Sequence, residues 1–211
     1  SVPTGNFGDV YAGYLSKKMG LPINKLLVAT NQNDILHRAI SKGQYQAYQV
    51  VETLSPSMDI QVASNFERLI YDINNQDPET TDRIMKEIKT KKKYLIKEKE
   101  LQQIKKDFSS ETINEKELLF CIKNTYEKYN KIIDPHTAIG LGALEKADMI
   151  GKNIILSTAH PCKFPEAINK AIKVDSKLPD RLNYILKEKE NFNIIKNNID
   201  DVKKYIINKL I

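Results

Sequence analysis

Short apolar runs alternate along this chain with segments whose apolar residues recur at helical spacing. Lys25–Thr30 and Asn153–Thr158 are nearly continuous apolar runs, which is typical of strands buried on both faces of a parallel sheet. Helical spacing elsewhere predicts helices between and after these runs. Those helices are expected at residues 10–19, 35–42, 60–74, 115–129 and 164–172, and one more is expected to start at Asp134-Pro135, an N-cap followed by proline at the first helical position. Strands that alternate with helices indicate an α/β fold.

Two further segments, both rich in polar residues, are predicted to be helical parts of the same domain. Residues 77–130 are expected to be entirely helical, as a helical region inserted in the middle of the chain. Residues 182–211 are expected to form a polar helical tail. Gln44–Val51 is ambiguous and fits an edge strand. We therefore predict one domain over residues 1–211, built around a partial three-layer arrangement with a parallel sheet.

A glycine-flanked loop, Gly5-Asn6-Phe7-Gly8, directly precedes the first predicted helix. It places free backbone N–H groups at the positive end of that helix, which favours an anion and above all a phosphate. Asn31–Asp34 follows the first apolar run, and both loops are expected at the carboxyl edge of the sheet, where such folds bind ligands. A P-loop is excluded because no Gly-Lys-Ser/Thr follows, and a dinucleotide motif because the third glycine and a preceding strand are missing.

Charge and composition narrow the classes of partner. The net charge is +6, but Lys86–Lys106 alone holds nine lysines and three glutamates and so carries the same excess. The chain has four arginines, the residue type best suited to reading bases and phosphates, so a nucleic-acid partner is disfavoured. No apolar run approaches the ~20 residues of a membrane span. Two distant cysteines favour a reducing, cytoplasmic setting, and three histidines without ligand spacing predict no metal site.

Three polar residues have both a structural and a functional interpretation. Thr158 ends the second apolar run, where a hydroxyl can bind a ring nitrogen, although a bond to the backbone is the simpler reading. His136 and His160 each have a proline neighbour at the start of a predicted helix, which favours capping or core packing over catalysis.

Five segments carry a further signal, namely Ser1–Asp9, Ala29–Leu36, Leu54–Ile60, Asp134–Ala138 and Ser157–Phe164. In sequence and in order along the chain they resemble motifs of the threonine synthase family of the bacterial and fungal type, and the resemblance covers about residues 1–180. It implies the large-domain fold of fold-type II pyridoxal 5′-phosphate enzymes. It also implies conversion of O-phospho-L-homoserine and water to L-threonine and phosphate.

The resemblance assigns cofactor roles by motif. Gly5, Asn6, Phe7 and Gly8 would hold the cofactor phosphate with Asp9 supporting the loop, and Thr158 would contact the pyridine nitrogen. Substrate contacts are expected among residues of the same motifs and their neighbours, with no individual role assigned. These candidates are Asn31, Asp34, Ser57, Asp59, Asn65, Arg68 and Lys163, of which Arg68 or Lys163 would meet the substrate phosphate or form a structural ion pair.

One departure from the family affects the expected activity. The family's Schiff-base lysine lies upstream of the glycine loop, so the resemblance places no catalytic residue within this chain. The chain is expected to correspond to the carboxyl-terminal half of the enzyme, to need the amino-terminal half as partner, and to be inactive alone. Two alternatives stay open: a non-catalytic threonine-synthase-like protein that binds phosphate-bearing small molecules, and a basic nucleic-acid-binding module on Lys86–Lys106.

Overall fold

The computed structural model describes residues 1–210. The strands are β1 (Val2–Pro3), β2 (Leu26–Thr30), β3 (Gln44–Gln46), β4 (Lys93–Leu95) and β5 (Phe108–Thr112). The α-helices are α1 (Gly8–Lys18), α2 (Ile35–Lys42), α3 (Phe66–Ile73), α4 (Pro78–Lys91), α5 (Glu98–Asp107), α6 (Glu115–Tyr129), α7 (Pro135–Lys146), α8 (Pro165–Ile172) and α9 (Ile199–Leu210). Short 3-10 helices span Pro56–Met58, Pro161–Lys163 and Asp180–Lys187.

A parallel sheet in the order β1-β2-β5 forms the centre of the fold. Val2 pairs with Val28, and Leu26 pairs with Phe108. The parallel direction confirms the predicted α/β class, and β1 shows that a short strand does precede the glycine loop. The ambiguous segment contains β3, which pairs antiparallel with β4 in a separate two-stranded sheet.

Strand β2 is buried along its whole length because helices cover both faces of the sheet. Leu26 and Val28 belong to one apolar cluster, which includes side chains of α1, α2 and α3. Leu27 and Ala29 belong to a second cluster, which includes side chains of α6, α7 and α8. Successive strand residues point to opposite faces, so a continuous apolar run serves both clusters. The prediction for this run is confirmed.

The prediction that residues 77–130 are entirely helical is wrong. This segment contains β4 and the sheet strand β5. Of the β5 side chains only that of Phe108 is fully buried, and the polar Ser-Ser-Glu-Thr that follows is half-buried. The strand is therefore specified by its pairing with β2 and not by its own apolar pattern, since tertiary context decides strand formation more than local preference.

The helix predicted over residues 60–74 starts later, at Phe66. The backbone N–H of Ala63 donates to the Tyr45 hydroxyl at 2.9 Å, and that of Ser64 donates to Asn6 Oδ1 at 2.8 Å. These bonds replace the i→i−4 bonds of a helix. Residues 60–65 are instead an irregular segment before the helix, and Ser64 and Asn65 join it to the glycine loop by hydrogen bonds to Asn6.

The prediction of a buried strand over residues 153–158 is also wrong. The segment is not a regular strand, and Ile154 is 75% exposed. Two backbone hydrogen bonds nevertheless place it beside β1 in the parallel pattern, from Ser1 N to Ile154 O at 2.7 Å and from Leu156 N to Ser1 O at 3.0 Å. Within the described part of the chain, the N–H and C=O of Ile155 have no backbone partner. The apolar run is thus paired on one side only.

Two compact units make up the chain, 1–176 and 177–211. The second unit contains the 3-10 helix Asp180–Lys187 and helix α9, and no side chain of either is buried. The tail is therefore helical only in part, and its last residue, Ile211, lies outside the described residues. Within residues 1–210, no helix has both the length and the apolar character that crossing a membrane requires.

Candidate functional site

The glycine loop follows β1 and is fixed to the core by Phe7. The Thr4 N–H donates to Ala29 O at 2.8 Å, which extends the pairing of β1 and β2 to the start of the loop. Phe7 has a φ of 68° and is fully buried, with its ring edge-on to Phe66 at 5.1 Å between centroids. A positive φ is uncommon for a residue with a large side chain. Here it turns the backbone into α1 while the ring stays in the core.

Several backbone N–H groups of this loop lack a partner. Among the described residues, the N–H groups from Gly5 to Gly8 donate to no backbone or side-chain acceptor of the protein. Asp9 follows them in the first turn of α1, an acidic residue at the positive end of the helix. Unpaired N–H groups at a helix N-terminus bind phosphate well, which is the predicted property of this loop.

The segment Ser55–Asp59 forms a second wall against the loop. A Cβ atom on Gly5 would lie 3.0 Å from the Ser57 carbonyl oxygen and 3.1 Å from Met58 Cα. Both atoms belong to the backbone, so neither can move away cheaply. Glycine is required here because the two backbones approach each other closely.

Asn6 is held in place through its side-chain oxygen. Asn6 Oδ1 accepts hydrogen bonds from Ser64 N at 2.8 Å and from Ser64 Oγ at 2.6 Å. The Asn6 backbone oxygen accepts from Asn65 N at 3.2 Å. With Oδ1 engaged, the side-chain NH₂ group of this exposed residue is free to donate to a ligand.

A polar network centred on Asp59 holds the second wall against the end of β2. Asp59 Oδ1 accepts from Asn31 Nδ2 at 2.7 Å, Asn33 Nδ2 at 3.0 Å and Thr53 Oγ1 at 2.7 Å. Its Oδ2 accepts from Thr53 N at 2.8 Å, and Asn31 Nδ2 also donates to Ser55 Oγ at 2.9 Å. Asn31 and Asn33 are buried, so this carboxylate satisfies donors that water cannot reach.

A third wall comes from the N-terminus of α7 and the segment beside β1. Asp134 Oδ1 accepts from His136 N at 2.9 Å, and His136 Nδ1 lies 3.0 Å from the same oxygen. Thr137 Oγ1 donates to Asp134 Oδ2 and lies 3.4 Å from Ser157 Oγ. Asp134 therefore caps the helix, and Thr137 links the helix to Ser157, the residue that precedes Thr158.

The three walls enclose one cleft of about 300 Å³. It is lined by Pro3, Thr4, Gly5, Asn6, Phe7, Gly8, Asp9, Ser57, Met58, His136, Thr158, Ala159 and Lys163. All six predicted cofactor residues and two of the predicted substrate residues, Ser57 and Lys163, thus share one cavity. Gly5 and Thr158 are brought together although 153 positions of sequence separate them.

The other predicted substrate residues lie away from the cleft lining. Asn31 and Asp59 belong to the network described above, and Asp34 Oδ1 accepts from Arg38 Nε at 2.8 Å. Arg68 lies with Asn65 in a separate surface cleft, with its guanidinium carbon 6.0 Å from the centre of the Tyr11 ring. Their contacts with substrate stay predictions, and the geometry gives Asn31 and Asp59 a supporting role.

His136 lines the cleft, although the sequence favoured a structural role for it over a role in the site. Its proline neighbour indicated capping or packing, and it does pack against Phe164 at 4.7 Å between ring centroids. The sequence did contain a signal for a role in the site. Asp134 stands two residues earlier, and an acidic residue at that spacing can orient an imidazole.

The pKa of Asp134 predicts a pH dependence of stability. Burial opposes ionisation, but hydrogen bonds from His136 and Thr137 outweigh it and hold the pKa of this carboxyl below its usual 3.8. Because the folded pKa is the lower one, the stabilisation is present above the unfolded pKa and is lost as the pH falls through the folded value. We expect the gap in unfolding free energy between wild type and Asp134→Asn to narrow as the pH falls below 3.8.

Urea denaturation between pH 7 and pH 3 measures that gap. Asp148→Asn, at an exposed turn of the same unit, serves as the matched control and should show little gap at any pH. A gap for Asp134→Asn that stays constant across the range would contradict the assignment.

Comparisons with known proteins find one family. The family model described as "Threonine synthase, C-terminal" matches residues 137–206. Threonine synthase of Pseudomonas aeruginosa is 38% identical over 209 residues, which cover 98% of this chain and 45% of that protein. The crystal structure of a PLP-bound threonine synthase from Brucella melitensis superposes with a TM-score of 0.89 at 40% identity, over 98% of this chain and 45% of that one. Human threonine synthase-like 1 is 35% identical over 176 residues, which cover 82% of this chain and 24% of that protein.

The fold is thus that of the large domain of fold-type II pyridoxal-phosphate enzymes. Within this class the chain matches the carboxyl-terminal part of the threonine synthase family, which confirms the resemblance seen in the motifs. The chain spans about half the length of the threonine synthases it matches.

Proposed function

We propose that this chain forms the cofactor-phosphate side of a threonine synthase active site, in an enzyme that converts O-phospho-L-homoserine and water to L-threonine and phosphate. The observation that carries the proposal is the set of unpaired N–H groups from Gly5 to Gly8, in the same cleft as the Thr158 hydroxyl. A phosphate at one end and a ring nitrogen at the other fit pyridoxal 5′-phosphate. When bound, that cofactor supplies the electron sink for breaking bonds at the substrate carbons.

The glycine loop, Thr158 and Lys163 have separate tasks in this proposal. The loop amides and the Asn6 NH₂ group bind the cofactor phosphate, and Thr158 donates to or accepts from the ring nitrogen and so fixes the orientation of the ring. Lys163 lines the same cleft and is the better placed of the two predicted cations to neutralise the substrate phosphate, since Arg68 lies in another cleft.

We further propose that the lysine that binds the cofactor covalently comes from a segment outside residues 1–211. The unpaired edge at Ile155 and the exposed Ile154 support this, because a parallel α/β sheet buries such runs between further strands. The purified 211-residue chain, supplied with cofactor and O-phospho-L-homoserine, should therefore release no threonine. Formation of threonine, measured by amino-acid analysis, would contradict this proposal.

A chimera tests the function itself. This chain replaces the matching 45% of the Pseudomonas aeruginosa enzyme, and threonine formation is measured. We expect turnover, and we expect Gly5→Val in the chimera to abolish it because the added side chain meets the backbone of Ser57 and Met58.

A second candidate function is a non-catalytic protein that binds phosphate-bearing small molecules. The likeness to human threonine synthase-like 1 over 82% of this chain keeps this alternative in view, because that protein is named as synthase-like and not as a synthase. A chimera that folds and binds cofactor but forms no threonine would select this alternative.

A further inference from the structure

His136 is held rigidly at the wall of the cleft. It is the second residue of α7 and 4% exposed, and its ring is held by Phe164 on one side. Its Nδ1 atom lies 3.0 Å from Asp134 Oδ1, and Asp134 is 1% exposed. The ring orientation is therefore fixed by two independent contacts.

The other ring nitrogen has no partner. Among the described residues, His136 Nε2 is buried and makes no hydrogen bond. Buried polar atoms are rarely left unpaired, and such an atom calls for a water or a ligand. Since Nδ1 is engaged by Asp134 and the residue lines the cleft, Nε2 is the ring nitrogen left to pair with a molecule bound there.

The charge on Asp134 determines which kind of hydrogen bond His136 Nε2 can form. An ionised carboxylate accepts the Nδ1 proton, so Nε2 is the nitrogen left to share a proton with a ligand. A phosphate monoester brings both a negative charge and an ionisable proton to such a contact. With that proton on the ring, Asp134 neutralises the imidazolium, and Nε2–H is a charge-assisted donor to the phosphate oxygen that gave it up.

We propose that His136 is a binding residue of this cleft, whose Nε2 donates a hydrogen bond to a phosphate-ester oxygen of the bound ligand, and that Asp134 is its positioning residue. This inference rests on the proposed function and extends it, because it adds a donor to the cleft that the glycine loop lines. The phosphate ester can belong to the cofactor or to the substrate, and the test separates these two sources.

The ¹⁵N signals of the imidazoles in the 211-residue chain report this contact directly. The chain has three histidines, so substitution assigns each signal. Pyridoxal 5′-phosphate and O-phospho-L-homoserine are titrated separately, with pyridoxal as the probe that lacks phosphate. We expect the Nε2 signal of His136 to shift with one phosphate ester, which identifies the source, and not with pyridoxal.

Binding by variants provides a second measurement. His136→Leu should weaken binding of that phosphate ester on the order of tenfold, and His136→Gln, which retains an N–H donor, should restore part of the loss. His37→Gln is the matched control, since His37 also has a buried ring nitrogen without a partner among the described residues but does not line the cleft.

Two outcomes would overturn the inference in distinguishable ways. If the backbone amides of Gly5–Gly8 respond to the phosphate esters while His136 Nε2 does not, this inference fails and the proposed function stands. If neither responds to any phosphate ester, both fail.

Discussion

Replacing Phe7 by alanine is expected to lower the free energy of unfolding by about 3–5 kcal/mol, as for other fully buried phenylalanines. The ring is 0% exposed and contacts Phe66 and Phe108, with centroids 5.1 Å and 5.6 Å away. Its loss leaves a cavity between the glycine loop, α3 and β5. Because native domains are stable by only about 5–15 kcal/mol, this is a large fraction of the total.

The Phe7→Ala variant is compared with Phe120→Ala by urea denaturation, with circular dichroism as the signal that monitors unfolding. Phe120 lies on α6 and is 63% exposed, so its truncation should change stability by less than about 0.5 kcal/mol. Equal effects of the two substitutions would show that Phe7 does not anchor the loop to the core.

Replacing Asp59 by alanine is the second change with a large expected effect, roughly 3 kcal/mol of stability. The carboxylate accepts four hydrogen bonds, two of them from the buried amides of Asn31 and Asn33. Alanine leaves these donors unpaired. The wall that contains Ser57 should then detach from Gly5, so binding of a phosphate ester should weaken by more than tenfold.

Glu52→Ala provides the comparison for Asp59→Ala. Glu52 lies in the same segment, directly before Thr53, but it is exposed, and no hydrogen bond or ion pair of its side chain is found among the described residues. Its loss should change stability by less than about 0.5 kcal/mol. If Glu52→Ala proves as damaging as Asp59→Ala, the network does not hold the wall in place.

The parts of the fold predicted correctly are those with strong local patterns. The run ending at Thr30 is apolar throughout because β2 has helices on both faces, and Asp134-Pro135 begins α7 as capping chemistry requires. Strand β5 was missed because Phe108 is its one fully buried residue. The run over Asn153–Thr158 has the apolar character of a central strand, but within this chain β1 pairs with one of its sides only.

The candidate site was predictable to a similar extent. The glycine loop is a local feature, and its unpaired N–H groups follow from its position before a helix. That Thr158 shares its cleft followed from the family resemblance, because no local pattern links positions so far apart. The role of His136 depends on which ring nitrogen is left without a partner, and that is a property of packing.

The central claim is that the amides of Gly5–Gly8 bind a phosphate while Thr158 meets the other end of the same ligand. Backbone ¹H–¹⁵N spectra of the 211-residue chain, titrated with pyridoxal 5′-phosphate and then with inorganic phosphate, test it most directly. We predict that both ligands shift the Gly5–Gly8 signals and that only pyridoxal 5′-phosphate also shifts Thr158. Unchanged glycine signals at saturating ligand, or shifts confined to other surfaces, would contradict the account.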